Sequence, residues 1–224
     1  MRFLRSLYLL VKKDLLVELR TREMLLSMLL FSLLLVVLFS FAFYTDQERA
    51  KVYAPGILWI TVLFAGTLGF NRLFDREMEE GALDALFLSG IGVRAVFVSK
   101  ALAHLGFTLL MELLTVPLLI VFFDLEVSSP GLLALSLFLG TVGFSFVGTL
   151  FAALLVGARM RDVLLPVVIY PLVVPVLIAG VKSSSSILVD GPFSETWSWL
   201  QFMVGFDLLY VAMSTWMFEK LMRR

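Results

Sequence analysis

The stretch Asn71-Arg72-Leu73-Phe74-Asp75-Arg76-Glu77-Met78-Glu79-Glu80-Gly81-Ala82-Leu83-Asp84-Ala85-Leu86-Phe87-Leu88 is densely charged, yet membrane-length apolar segments lie on both sides of it. Only 16% of the chain is charged, so this concentration is an unlikely filler. It forms the one sizeable polar surface between hydrophobic segments that another protein can grip. Its reading separates a passive membrane protein from one driven from outside.

Outward from this run, composition selects hydrocarbon as the solvent. Apolar residues make up 60% of the chain and the mean hydropathy is +0.99, against an apolar share of about 45–50% in soluble domains. A spanning helix needs about 20 apolar residues. Six blocks qualify: residues 25–44, 55–71, 101–123, 131–158, 163–181 and 197–218. The third carries His104 and Glu112, and the sixth carries Asp207. The fourth is longer than a span requires, which predicts tilt or a kink. With the N-terminus assigned to the cytoplasm, fifteen of the eighteen Lys and Arg residues fall inside, and Arg49, Lys51 and Lys182 fall outside. That distribution satisfies the positive-inside rule with both termini cytoplasmic. Tyr44, Tyr53, Trp59, Trp197 and Trp199 then mark the outer interface, and Trp216 the inner one. The absence of cysteine excludes disulfides, thiolate metal sites and thioether haem attachment. The long basic N-terminal region and long first span predict a retained anchor rather than a cleaved signal.

Residues 1–23 read as an amphipathic helix on the membrane surface. Leu4, Leu7, Tyr8, Val11, Leu15 and Leu19 follow helical spacing, while Arg2, Arg5, Lys12, Lys13 and Arg20 gather on another side. Residues 45–54 and 124–130 are expected as short outer loops, and Arg159-Met160-Arg161-Asp162 as a tight inner turn. The last outer loop, residues 182–196, contains Ser183–Ser186, a composition that predicts flexibility. Small-residue pairs at Ala65/Gly69 and Ala153/Gly157, with Gly140, Gly143 and Gly148, predict close helix contacts. Pro166, Pro171 and Pro175 predict kinks or a locally loosened fifth span. The expected fold class is all-α: a polytopic membrane protein with six transmembrane helices, one domain over residues 1–224.

Within the charged run, Glu77, Glu80 and Asp84 share one helical face, and Leu83, Leu86 and Phe87 another. This describes a short amphipathic helix across the inner end of the bundle, over residues 77–88. The segment Arg76 to Leu86 resembles the signature loop of ABC-2 type exporter permeases. In that family the loop is the coupling helix seated on the ATPase subunit. Two longer stretches narrow the match: Pro55-Gly56-Ile57-Leu58-Trp59-Ile60 through Leu88, and Gly148-Thr149-Leu150-Phe151-Ala152-Ala153 through Arg159–Pro166 to Pro171 and Pro175. Both resemble the haem exporter protein B family, the CcmB permease of cytochrome c maturation, over essentially the full length.

The resemblance implies that Glu77, Glu79, Glu80, Gly81, Leu83, Asp84, Leu86 and Phe87 couple to an ATPase; for Arg159, Arg161 and Asp162 in the inner turn, a second cytoplasmic contact and an ordinary positive-inside turn are both open. It also implies a homodimer in the bacterial inner membrane with two copies of a CcmA-like ABC ATPase. A CcmC-like haem-handling membrane protein, a small CcmD-like membrane subunit and a periplasmic haem chaperone are the further implied partners. The chain has no G-x-x-x-x-G-K-[ST] pattern, because none of its lysines follows a glycine. Nucleotide chemistry therefore belongs to a separate subunit, no catalytic residue or metal site is assigned, and no nucleic acid is expected. Haem is expected as a transported or presented ligand rather than a covalent cofactor.

Ionisable groups within spans face protein or a polar cavity, since each costs about 2.5–3.5 kcal/mol at mid-membrane on insertion scales. Glu112 and Asp207 have three arrangements open: a proton shared between them, a hydroxyl or backbone donor, or a neighbouring subunit. His104, the sole histidine, is the one strong haem-iron ligand available, although a packed polar role is the commoner one. Two alternatives stand beside the haem-exporter reading. One is an ABC-2 permease for lipid, polysaccharide or drug; the other is a non-transporting scaffold for haem-lyase components.

Overall fold

A computed structural model describes residues 2–44, 47–75, 91–188 and 191–222. Among them the chain forms seven helices and no strand: α1 (Arg2–Thr21), α2 (Glu23–Ala42), α3 (Gln47–Arg72), α4 (Val93–Phe123), α5 (Pro130–Leu154), α6 (Arg161–Leu188) and α7 (Phe193–Met222). All except α1 are long and apolar enough to cross a membrane. Helix is the conformation that such sequences must take in hydrocarbon, because each backbone N–H and C=O then finds its partner within the segment.

The helix ends have local causes. Arg22 takes a left-handed conformation, φ 58°, and turns the chain sharply from α1 into α2. Asp124, φ 49°, ends α4 with its N–H returned to the Ile120 carbonyl. Pro130 sits at the start of α5, where its missing N–H is no loss. Gly157, φ 79°, closes the turn after α5 in a conformation that disfavours a Cβ. Consequently Ala153 and Gly157 do not form a small-residue pair on one helix. The surplus length of the fourth apolar block forms this turn.

Helix α5 is central, packing against α4, α6 and α7, while α3 fits between α2, α4 and α6. Trp59 of α3 is 2% exposed, and its indole fills a notch where glycines stand on two other helices, Gly140 of α5 and Gly180 of α6. This places Trp59 in the core rather than at the interface expected from its aromatic character. A side chain at either glycine would occupy the ring's space.

The indole N–H donates to Ser184 Oγ at 3.1 Å. Ser184 belongs to the serine run expected to be a flexible loop, but α6 continues through it to Leu188 and buries Ser183, Ser184 and Ser186. Each hydroxyl meets another helix. Ser183 pairs with Ser136 of α5 at 2.6 Å, and Ser186 accepts from Thr196 of α7 at 2.9 Å. Serine favours loops where water completes its hydrogen bonds; here neighbouring helices do so instead.

Helix α1 has three faces. Leu7, Leu10, Asp14, Val17, Glu18 and Thr21 turn toward the bundle, where α4 is the main neighbour. Leu4, Tyr8, Leu15 and Leu19 form an exposed apolar stripe, and Arg5, Lys12, Lys13 and Arg20 follow around the cylinder. The docked face therefore differs from the apolar stripe singled out by periodicity.

A water-soluble maleimide checks the position of the serine run, because the chain has no native cysteine. Ser184→Cys should remain unlabelled in intact membranes, whereas Lys182→Cys, at an exposed position, should react. Equal labelling would return residues 182–186 to a solvated loop.

Candidate functional site

Residues 76–90 lie outside the described residues, and with them Glu77, Glu79, Glu80, Gly81, Leu83, Asp84, Leu86 and Phe87. The site is therefore built from the helix ends that flank the charged run. A helix leaves its last carbonyls without intrahelical partners. At the end of α3 two cations from other helices donate to such carbonyls: that of Leu73, and that of Phe70, which also accepts from the Leu73 N–H at 3.3 Å.

Lys100 of α4 donates to the Leu73 carbonyl at 3.1 Å and pairs with Asp14 of α1 at 3.3 Å. Its ammonium also lies 5.5 Å from the Phe74 ring centroid. Lys100 is only 5% exposed, so its charge is held among protein groups. Removing one member of such a buried pair typically costs about 3–5 kcal/mol. This joins α1 to α3 and α4. Sequence reasoning assigned no role to Lys100 or Asp14; the available signal was a lysine inside a long apolar helix.

Arg161, the first residue of α6, donates to the Phe70 carbonyl at 2.9 Å and to Asp75 Oδ1 at 3.0 Å. Its neighbours Arg159 and Asp162 are exposed. Of the three residues grouped in the inner turn, Arg161 alone turns into the bundle, while the other two remain on the surface. Further ion pairs lie at this end among the described residues. Arg72 meets Glu23 at 3.4 Å, an exposed pair worth about 0–1 kcal/mol, and Arg94 pairs with Glu219, linking α4 to α7.

Deeper in the bundle, His104 is fully buried. Its Nε2 lies 3.0 Å from the Gly66 carbonyl, and its Nδ1 lies 3.0 Å from Ser145 Oγ. A carbonyl only accepts, so Nε2 carries the proton donated to Gly66. The ring stacks on Phe70 with centroids 3.7 Å apart and planes at 10°. Both ring nitrogens are engaged, which leaves neither free for an iron atom in this arrangement.

Glu112 accepts a hydrogen bond from Thr141 Oγ1 at 2.5 Å, while its second oxygen is buried without a partner among the described residues. Asp207 lies against Gly143, and neither of its carboxyl oxygens has a hydrogen-bond partner there. Thr141 and Gly143 are two positions apart on α5, about 200° around the helix at 3.6 residues per turn. The two acids thus approach α5 from opposite sides, which removes the arrangement in which they share a proton within one chain.

Helix α4 consequently carries a buried polar line: Lys100, His104, Thr108, Glu112 and Thr115. Thr115 continues it to α2 through Ser32 Oγ at 3.0 Å. No group of three or more His, Cys, Asp or Glu side chains capable of holding a metal occurs among the described residues. These bonds join α4 to α1, α2, α3 and α5.

A family model described as "CcmB protein" matches residues 5–224. The chain is 35% identical over 185 residues to "Heme exporter protein B" of Bradyrhizobium diazoefficiens, covering 83% of each protein. Against the protein of that name from Haemophilus influenzae it is 34% identical over 168 residues, 75% of this chain and 76% of the relative. The Rhodobacter capsulatus protein of that name is 40% identical over 154 residues, 69% of this chain and 71% of the relative. The chain belongs to the CcmB family of multi-pass membrane proteins.

The Glu112–Thr141 contact has a direct test. Thr141→Val keeps the shape but strands the carboxyl, so stability should fall by about 1–3 kcal/mol, whereas adding Glu112→Met should recover most of the loss. Equal stability of Thr141→Val and wild type in detergent unfolding would contradict the contact.

Proposed function

We propose, from membership of the CcmB family, that this chain is the permease subunit of an ATP-driven complex in cytochrome c maturation. It converts ATP turnover in a separate subunit into haem export or release of a haem-loaded periplasmic chaperone. The observation that carries this reading is the near end-to-end match to the family, whose curated members above bear the name "Heme exporter protein B". Since the sequence contains no phosphate-binding pattern, we infer from the family resemblance that the nucleotide step belongs to a CcmA-like ATPase. A homodimer seated on two such ATPases, beside CcmC-like and CcmD-like membrane subunits, is the assembly we infer. The inner membrane is its location, with both termini in the cytoplasm, in keeping with the excess of Lys and Arg at that end.

Within this reading we favour transmission of movement over conduction of haem through the chain. Haem propionates call for cationic partners, but the acids buried at mid-span are Glu112 and Asp207. His104 is engaged at both nitrogens. By contrast, the helices flanking the charged run are well tied to their neighbours: α3 to α6 through Arg161, and α4 to α1 through Lys100. Such ties let a push at residues 77–88 reach several spans, provided that the bundle has two states with different contacts there.

The docking reading is tested by co-purification. Reversing charge with Glu80→Lys and Asp84→Lys should abolish retention of the ATPase while the permease remains in the membrane. Undiminished retention by this variant would remove the proposed contact surface.

A further inference from the structure

Arg161 stands where α6 begins and grips α3 at two points that differ in kind. One is the Phe70 carbonyl, a backbone group near the helix end; the other is the Asp75 carboxylate, beyond it. The two charged partners also differ in exposure, 12% for the Arg161 side chain and 47% for Asp75. The cation is lodged in the protein while the carboxylate stands at a wet edge. Asp75 lines two clefts at this end, one shared with Asp14, Glu18 and Lys100, another with Asn71, Arg161 and Asp162.

Phe70 carries the contact inward. Its ring stacks on His104 of α4 and occupies the space beside Gly148 of α5. A shift at the end of α3 is therefore felt by α6 through the guanidinium, by α4 through the imidazole and by α5 through the glycine notch. Asp75 belongs to the charged run and stands two positions before residues 77–88 in the sequence, so its ion pair adjoins that segment along the chain.

We propose that Arg161 is a positioning residue that passes movement of the charged run into α6, through a releasable ion pair with Asp75 and a retained hydrogen bond to Phe70. The inference rests on the reading that a partner ATPase acts on residues 77–88. The two contacts suit these different tasks. A half-exposed ion pair exchanges readily with water and is weak. A charged donor on a carbonyl that the protein shelters is costlier to remove. A simple helix cap would need only the carbonyl; the second contact at Asp75 gives α6 a link to the driven segment.

The test separates coupling from assembly. Asp75→Asn leaves Arg161 on the Phe70 carbonyl and removes only the ion pair. In membranes containing the whole permease–ATPase complex, three quantities are followed: ATPase retained, ATP hydrolysed, and haem-loaded chaperone released. Asp75→Asn should retain the ATPase and its turnover, while release per ATP falls by about three- to tenfold. Asp75→Glu should restore most of that ratio. Combining Asp75→Asn with Arg161→Gln should lower it no further than the worse single change, as expected of residues acting through one link. An unchanged ratio in Asp75→Asn, or losses that multiply in the double variant, would overturn the proposal while leaving the ATPase-driven reading intact. Failure of the wild-type chain to retain any ATPase would sink that reading and this inference together.

Discussion

At the end of α3, backbone carbonyls meet cations that come from other helices. Lys100 and Arg161 complete the Leu73 and Phe70 carbonyls, respectively. Because those cations belong to α4 and α6, a local need of one helix becomes a connection among three. Asp14 adds α1 to the set. The charged run thus begins from a tethered helix end rather than from a free one, and this makes a mechanical reading of the molecule physically coherent.

Polar side chains do similar work at the opposite end, with hydroxyls in place of charges. Trp59 places a large ring where Gly140 and Gly180 leave room, and its N–H finds Ser184. Ser136, Ser183, Ser186 and Thr196 then join α5, α6 and α7. In a bilayer, apolar contacts alone give little preference for protein over lipid, so directional bonds and close fit decide which helices meet. The two ends accordingly differ: one is dry and fitted around an aromatic ring, the other is charged and partly open to water.

Most of the fold was legible in the sequence because span-length apolar segments leave helix as the sole conformation that satisfies the backbone. The six spans and the membrane-protein class follow from that rule, whereas the first helix was legible from its amphipathic spacing and membership of the family from the motifs over residues 55–88 and 148–175. The errors came where composition stands in for environment. Four consecutive serines read as a loop, since sequence does not reveal whether water or a helix will answer each hydroxyl. Trp59 read as an interface marker, because the glycines that admit it lie 81 and 121 positions away. The candidate site was legible only in part. Arg161 was singled out, but its inward direction and its link to Asp75 depend on tertiary placement. Lys100 and Asp14 went unnoticed because their 86-residue separation hides the pair. Glu112 and Asp207 were recognised as buried acids, yet only the register of α5 shows that a helix stands between them.

The polar line on α4 makes that helix a splined shaft. Lys100, His104, Thr108 and Glu112 recur every four residues, and each of Lys100, His104 and Glu112 engages another helix. Sliding α4 by a single residue would carry these teeth about 1.5 Å along the axis and 100° around it, disengaging them together. Piston-like travel of α4 against α3 and α5 would thereby break these bonds together. Swinging as one block with those neighbours keeps every tooth seated.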